Sequence, residues 1–197
     1  RLSAEQGYEN AQFNLGVMYK EGRGVIQDFK TAVKWYTLSA EQGDSDAQNN
    51  LGQMYRMGDG VPLDYKTAVK WYTLSAEQGD DYAQNNLGLM YLFGFGVLQD
   101  YKTALKWYTL SAEQGDDYAQ NILGLMYAKG EGVPQDYKTA EKLFRLAAEQ
   151  GNSDAQTSMG KLYERGFGVI QNYKTAVKWW RLAVEQGNNR GQYNLGL

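Results

Sequence analysis

The chain has no cysteine, which rules out disulfide stapling and thiolate chemistry. It has no histidine either, so the side chain most used as a catalytic base and as a transition-metal ligand is missing. Only 2 of its 197 residues are proline, and no apolar run approaches the ~18 residues that a membrane span needs. Positive charge is not in excess: 20 Lys and Arg face 23 Asp and Glu, giving a net charge of -3 and a pI near 5.1. A chain of this balance with no basic stripe is a poor partner for nucleic acid. These absences leave no cofactor or metal site to expect, and they disfavour an enzyme. Disorder is disfavoured too, because 14% of the residues are aromatic and the pattern is strongly periodic.

What is present is a repeat of 36 residues. Gly7, Gly43, Gly79, Gly115, Gly151 and Gly187 each close a Glu-Gln-Gly triplet at that spacing. Between them recur a Leu-Gly step (Leu15-Gly16, Leu51-Gly52, Leu87-Gly88, Leu123-Gly124), a Gly-x-Gly-Val loop and a Lys-Thr-Ala triplet. A fixed period of this size signals a stacked array of small units instead of one closed core. The expected organisation is a single array over 1–197: a partial unit 1–7, repeats 8–43, 44–79, 80–115, 116–151 and 152–187, and a partial unit 188–197. Arg1 aligns with Thr37 and Leu197 with Gln53, both in helix interiors, so the expectation is a window cut from a longer protein. Cytoplasmic and periplasmic placements both stay open.

Within one unit, Asp44 to Asp46 supply capping oxygens and negative charge for a helix start. Ala47, Leu51, Met54 and Tyr55 then fall on one helical face, and this helix A should run to about Met57. Gly58-Asp59-Gly60-Val61-Pro62 breaks it. Asp64 should cap a helix B from Tyr65 to about Gln78, with Tyr65, Ala68, Val69, Tyr72 and Ala76 as its main apolar stripe and Gly79 as its terminator. Gly52 and Ala68 lack bulk, which lets the two helices cross closely. Trp71 and Leu74 lie beside the main stripe. A single hairpin cannot bury that flank, whereas a stacked neighbour can. Trp35, Trp71, Trp107 and Trp179 are therefore expected in the core between repeats.

These units resemble Sel1-like repeats, a branch of the tetratricopeptide-like solenoids. The residues carrying the resemblance are Ala83-Gln84-Asn85-Asn86-Leu87-Gly88-Leu89-Met90-Tyr91, the Gly94-x-Gly96-Val97 loop, Asp100-Tyr101-Lys102-Thr103-Ala104 leading to Trp107-Tyr108, and Gly130-Glu131-Gly132-Val133-Pro134-Gln135-Asp136-Tyr137. The resemblance implies an all-α fold, a right-handed α/α superhelix of helical hairpins. It also implies a non-catalytic scaffold or adaptor that binds a protein or peptide in a concave groove lined by the A helices. A cysteine-rich branch of the family is excluded by composition.

Differences between the copies are more telling than sameness, because they arose after duplication. Three helix A positions, away from the Leu51–Tyr55 face, vary most. They read Val17, Gln53, Leu89, Leu125, Lys161; then Lys20, Arg56, Leu92, Ala128, Glu164; then Glu21, Met57, Phe93, Lys129, Arg165. The third unit gathers Leu89, Leu92, Phe93 and Phe95, and Met57 and Leu125 could extend this apolar patch. Arg56 and Lys129 belong to a rim of mixed sign that suits a protein partner. The alternative is that Phe93 and Phe95 fold back over their own loop. Asn14, Asn49, Asn50, Asn85, Asn86 and Asn121 recur on helix A and could either clamp a peptide backbone or bond between repeats.

A second functional reading is a glycan- or cell-wall-binding module using Phe93, Phe95, Phe167, Tyr82 and Tyr118. End-to-end self-association is also open, since cut solenoid ends expose apolar faces. The carboxylate pairs Asp80-Asp81 and Asp116-Asp117 read as helix caps, the Gly-x-Gly loops as turns, and Lys66 and Lys70 as a solvated outer face. The recurrence of the Glu-Gln-Gly and Lys-Thr-Ala triplets is attributed to recent duplication.

Overall fold

Each Gly-x-Gly loop and each Glu-Gln-Gly triplet ends a helix, and the computed structural model, which describes residues 2–196, is helical between them. The chain divides into two compact units, the first ending at Asp100 and the second beginning at Tyr101. The first holds α1 (Leu2–Glu5), α2 (Glu9–Glu21), α3 (Phe29–Ala40), α4 (Ser45–Met57), α5 (Tyr65–Glu77) and α6 (Asp81–Phe93). The second holds α7 (Tyr101–Glu113), α8 (Asp117–Lys129), α9 (Tyr137–Glu149), α10 (Ser153–Arg165), α11 (Tyr173–Glu185) and α12 (Asn189–Leu195). Even-numbered helices are the A helices of the repeat and odd-numbered helices the B helices.

The helix boundaries follow from caps. Asp44 accepts from the Ala47 N–H at 2.7 Å, which starts α4. Asp80 does the same for Ala83 and Asp116 for Ala119, both at 2.6 Å, so these carboxylate pairs are caps as expected. Asp64 accepts from the Lys66 and Thr67 N–H groups and from the Thr67 hydroxyl, which starts α5. The caps at Asp44, Asp80 and Asp116 contribute about 1 kcal/mol each. Thus the Lys-Thr-Ala threonine has a capping role that duplication alone does not explain. Gly58 ends α4 in the left-handed region, with φ 77°, and its N–H reaches the Met54 carbonyl at 2.9 Å.

In the first unit the core joins neighbouring hairpins. Ala32, Tyr36 and Ala40 of α3 pack with Ala47, Leu51 and Met54 of α4, and Trp71 of α5 closes over them. Trp35 is buried against Ala4 and Leu15 in the same manner. In the second unit Ala140, Phe144, Ala147 and Ala148 of α9 pack with Ala155, Met159 and Leu162 of α10, and Trp179 closes over that cluster. Tryptophan in these places is core between repeats. The close helix crossing is also present: a Cβ on Gly52 would lie 2.7 Å from the Tyr72 ring, and one on Gly124 would lie 2.7 Å from the Phe144 ring.

Two devices fasten repeat to repeat. First, the second loop glycine lies on the backbone at the start of the preceding helix B. A Cβ on Gly60 would meet the Phe29 carbonyl group at 2.5 Å, and one on Gly132 would meet the Tyr101 carbonyl oxygen at 2.7 Å. Gly24, in the first repeat, has only Met18 Cε near it, at 3.8 Å. Second, a buried glutamine near the start of helix A bridges to the helix B before it and to the helix B after it. Gln48 Nε2 donates to the Ala40 carbonyl at 3.1 Å, and Gln48 Oε1 accepts from Gln78 Nε2 at 2.7 Å. Gln156 repeats this in the second unit with Ala148 at 3.2 Å and Gln186 at 2.9 Å. Gln78 and Gln186 belong to the Glu-Gln-Gly triplets. Their recurrence, attributed above to duplication, has a structural cause.

Candidate functional site

In the first unit the variable helix A positions largely satisfy one another. Lys20 reaches across from α2 to α4, donating to Gln53 Oε1 at 2.8 Å and Asn50 Oδ1 at 3.1 Å. Burial lowers the Lys20 pKa, with the charges of Glu21 and Asp59 opposing. Asn50 Nδ2 turns back to the Asp46 carbonyl at 2.8 Å. Asn86 of α6 donates to Asn49 Oδ1 of α4 at 3.0 Å. Arg56 leans on Tyr72, its Nε donating to the hydroxyl at 3.3 Å. Of the two alternatives for the asparagines, bonding between repeats is what Asn49, Asn50 and Asn86 do here.

The apolar group of the third repeat is assembled around an aromatic stack. Phe95 stacks on Tyr65 at a ring separation of 5.1 Å and on Phe93 at 5.7 Å. Leu89 and Leu92 are half-buried, while Phe93 stays 58% exposed and Phe95 38%. Met57, at the end of α4, is 55% exposed. Phe95 therefore has a local packing partner, and Phe93 presents most of its ring to solvent. The stack is a repeated device: Phe167 lies on Tyr137 at 4.7 Å in the second unit.

Leu125 and Lys129 lie in the second unit. Leu125 is half-buried against the α9–α10 core. Lys129 is exposed and pairs with Glu131 at 3.5 Å. The larger feature of this unit is one that sequence reasoning missed: an open concavity of about 780 Å³ over α8, α10 and α12. Ile122, Leu125, Ala128 and Leu162 supply apolar wall, Tyr118, Tyr137 and Phe167 aromatic wall, and Asp154, Lys161, Glu164, Arg165 and Arg190 charge. Asn121, only 4% exposed, and Asn194 also line it. Neither Asn121 Oδ1 nor Asn194 Nδ2 has a hydrogen-bond partner. The only sequence signal for Asn121 was its place in the asparagine series; nothing marked Asn194 or the cavity.

Among the described residues no group of three acidic side chains is placed to hold a metal ion, and no helix is long and apolar enough to cross a membrane.

The class defined by these observations is an all-α repeat array in which successive helical hairpins share their cores. The particular family follows from comparison. The Sel1 repeat matches five times in succession, at residues 10–44, 45–80, 81–116, 117–152 and 153–188. The chain belongs to the Sel1 repeat family. It is similar to a Sel1 repeat protein from Oxalobacter formigenes, with 36% identity and a TM-score of 0.88 over 93% of this chain and 75% of that one. It is also similar to c5321, a protective antigen of uropathogenic Escherichia coli with the same repeat fold. There the identity is 39% and the TM-score 0.67, over 98% of this chain but 49% of that one. The chain thus spans about half the length of the Escherichia coli protein. The immunity protein Pa5087 of Pseudomonas aeruginosa, 21% identical, shares the fold over 93% of this chain and 67% of its own, with a TM-score of 0.58. No curated protein matches the chain.

Proposed function

We propose that the chain is a non-catalytic scaffold that holds a protein or peptide partner against the exposed face of its A helices. Sel1 repeat arrays generally serve as protein-interaction scaffolds, and the reading extends that role to named surfaces. The observation that carries it is the 780 Å³ concavity of the second unit, which has apolar walls, a rim of both signs and two unsatisfied amides. Open, mixed surfaces of this kind suit a polypeptide. In the first unit the contact surface is Leu89, Leu92, Phe93 and Phe95 with Met57, Arg56, Asn50 and Asn86 around them. Leu125 and Lys129 serve the second. Burying two or three such apolar side chains is worth roughly 1.5–3 kcal/mol each, enough to anchor a micromolar contact.

The glycan reading has less support. Stacking on Tyr65 and Tyr137 occupies one ring face of Phe95 and of Phe167, which a sugar would otherwise use.

The test is affinity capture from lysate of the source organism, with the captured protein then purified and titrated. Wild type is compared with a triple variant, Leu89→Ser, Leu92→Ser, Phe93→Ser, of equal helicity. The expected result is a protein that binds wild type and loses at least tenfold in affinity for the variant. Equal binding by both would move the contact off the first unit. Binding of polysaccharide with no protein captured would replace the scaffold reading by the glycan one.

A further inference from the structure

The asparagine series is met at some places and unmet at others, and Asn85 Oδ1 of the first unit is buried without a partner. In the same unit, Asn49 Oδ1 accepts from the asparagine 37 positions on, Asn86, at 3.0 Å. The same step from Asn121 lands on Ser158, whose hydroxyl instead donates to the Asp154 carbonyl of its own helix at 3.0 Å. The same step back from Asn194 lands on Thr157, whose hydroxyl donates to Asn188 Oδ1 at 3.4 Å. The amide ladder is thus interrupted twice in one unit. It leaves one bare acceptor, Asn121 Oδ1, and one bare donor, Asn194 Nδ2, lining the same concavity. A buried amide oxygen with no partner costs stability; the Tyr36 and Tyr108 hydroxyls, Asn85 Oδ1 and Ser111 Oγ are also unpartnered, and of the described residues with such an atom only Asn121 and Asn194 line the concavity.

The charges nearby are unequal in the same sense. Asp154 already accepts from Asn188 Nδ2 at 3.1 Å, and Glu164 is paired with Arg165 at 3.8 Å. Lys161 and Arg190 have no carboxylate within salt-bridge distance among the described residues, and both line the cavity. The site therefore offers one acceptor, one donor, an apolar wall and two uncommitted cations.

We infer that this concavity clamps the main chain of an extended, acidic peptide. Asn121 Oδ1 accepts a peptide N–H, Asn194 Nδ2 donates to a peptide carbonyl, Lys161 and Arg190 take an acidic side chain, and Ile122 and Leu125 take an aliphatic one. The inference rests on the scaffold reading and names the partner's chemistry for the second unit. Asn121 and Asn194 stand on α8 and α12, two A helices apart. At 8–10 Å per packed helix the span is roughly 16–20 Å. An extended chain rising ~3.3 Å per residue covers it in about six residues. A peptide amide supplies both a donor and an acceptor, the two valences that the neighbouring helices leave unmet.

The test is selection of N-acetylated, C-amidated random heptapeptides on the whole purified chain. Selected peptides are expected to be enriched in Asp and Glu. N-methylation of one backbone amide should weaken the best of them about fivefold or more, as loss of one buried hydrogen bond would. Asn121→Leu and Lys161→Gln should each weaken binding by a similar factor. Asn121→Leu should at the same time raise the thermal midpoint of the free chain by about 2–4 °C, which a merely structural asparagine would not do. Selected peptides that tolerate both N-methylation and Asn121→Leu would overturn the clamp. So would peptides lost instead through the Leu89, Leu92, Phe93 triple variant, or no peptide selected by a chain that still captures a folded protein; both leave the scaffold standing. Neither peptide nor protein bound would overturn both.

Discussion

The first and second units are built from the same repeat, fold the same hairpins and fasten them with the same glycine and glutamine, yet their helix A faces differ in how far their amides are satisfied. In the first, Lys20, Asn50, Gln53, Asn49 and Asn86 are committed to each other across neighbouring repeats and Arg56 to Tyr72, while Asn85 Oδ1 is buried without a partner. In the second, Ser158 and Thr157 stand where asparagines would continue the ladder, and Asn121 and Asn194 keep unmet hydrogen-bond capacity. The lesson is that a repeat array separates its two tasks by position. Residues that join hairpins are copied from unit to unit. Residues on the exposed helix A face change, and a change of one or two of them alters which hydrogen bonds between repeats are made.

What the units share should break alike. Gly60→Ala places a Cβ on the Phe29 carbonyl group in a left-handed backbone, and Gly132→Ala does so on Tyr101. The left-handed cost plus the clash amounts to about 3 kcal/mol for either. Gly24→Ala, with open space around it, should cost only the backbone share, about 1 kcal/mol. Urea unfolding of the three variants checks this; equal losses at Gly24 and Gly60 would remove the fastening role. Next in size are Gln48→Leu and Gln156→Leu. Each strands a buried carbonyl and a neighbouring amide, for about 2 kcal/mol, and the two should agree.

Acid should separate two kinds of aspartate. The threonine hydroxyl and backbone N–H groups lower the pKa of Asp28, Asp64 and Asp136. Their folded pKa lies below the unfolded one, so their stabilisation is complete above the ordinary aspartate range and is lost as pH falls through it. Asp80 is raised, first by burial and then by the charges of Asp46 and Asp81. Its ionised form is disfavoured in the fold, so that handicap disappears as pH falls. Asp64→Asn should therefore flatten the loss of stability between about pH 5 and pH 3, and Asp80→Asn should steepen it. Urea midpoints measured across that range decide the matter. The same slope in both variants would contradict the assignment.

Much of this fold is legible in the sequence, because it is written in spacing. Met57, Tyr65 and the caps at Asp44 and Asp64 stand where the pattern puts them, and the tryptophans are core between repeats. The glutamines of the Glu-Gln-Gly triplets were illegible, since a polar side chain is read as surface unless its partner is known, and Gln78 finds Gln48 30 residues away. The site is legible only in part. Phe93 and Phe95 stand out by contrast with the other copies, but the stack on Tyr65 depends on the neighbouring repeat. The concavity of the second unit is invisible from sequence because α8, α10 and α12 form it together, and the unmet hydrogen bonds of Asn121 and Asn194 leave no mark on composition.

The most direct test of the account is a pair of isosteric substitutions at equivalent positions, Asn49→Leu in the first unit and Asn121→Leu in the second, compared by urea unfolding. Asn49→Leu removes the acceptor of Asn86 and should destabilise by about 1 kcal/mol, whereas Asn121→Leu removes an unpartnered buried amide and should stabilise by about 1 kcal/mol or more. Opposite signs are the predicted result. Destabilisation by both would mean that Asn121 is committed within the fold, and the contrast between the two helix A faces would fall.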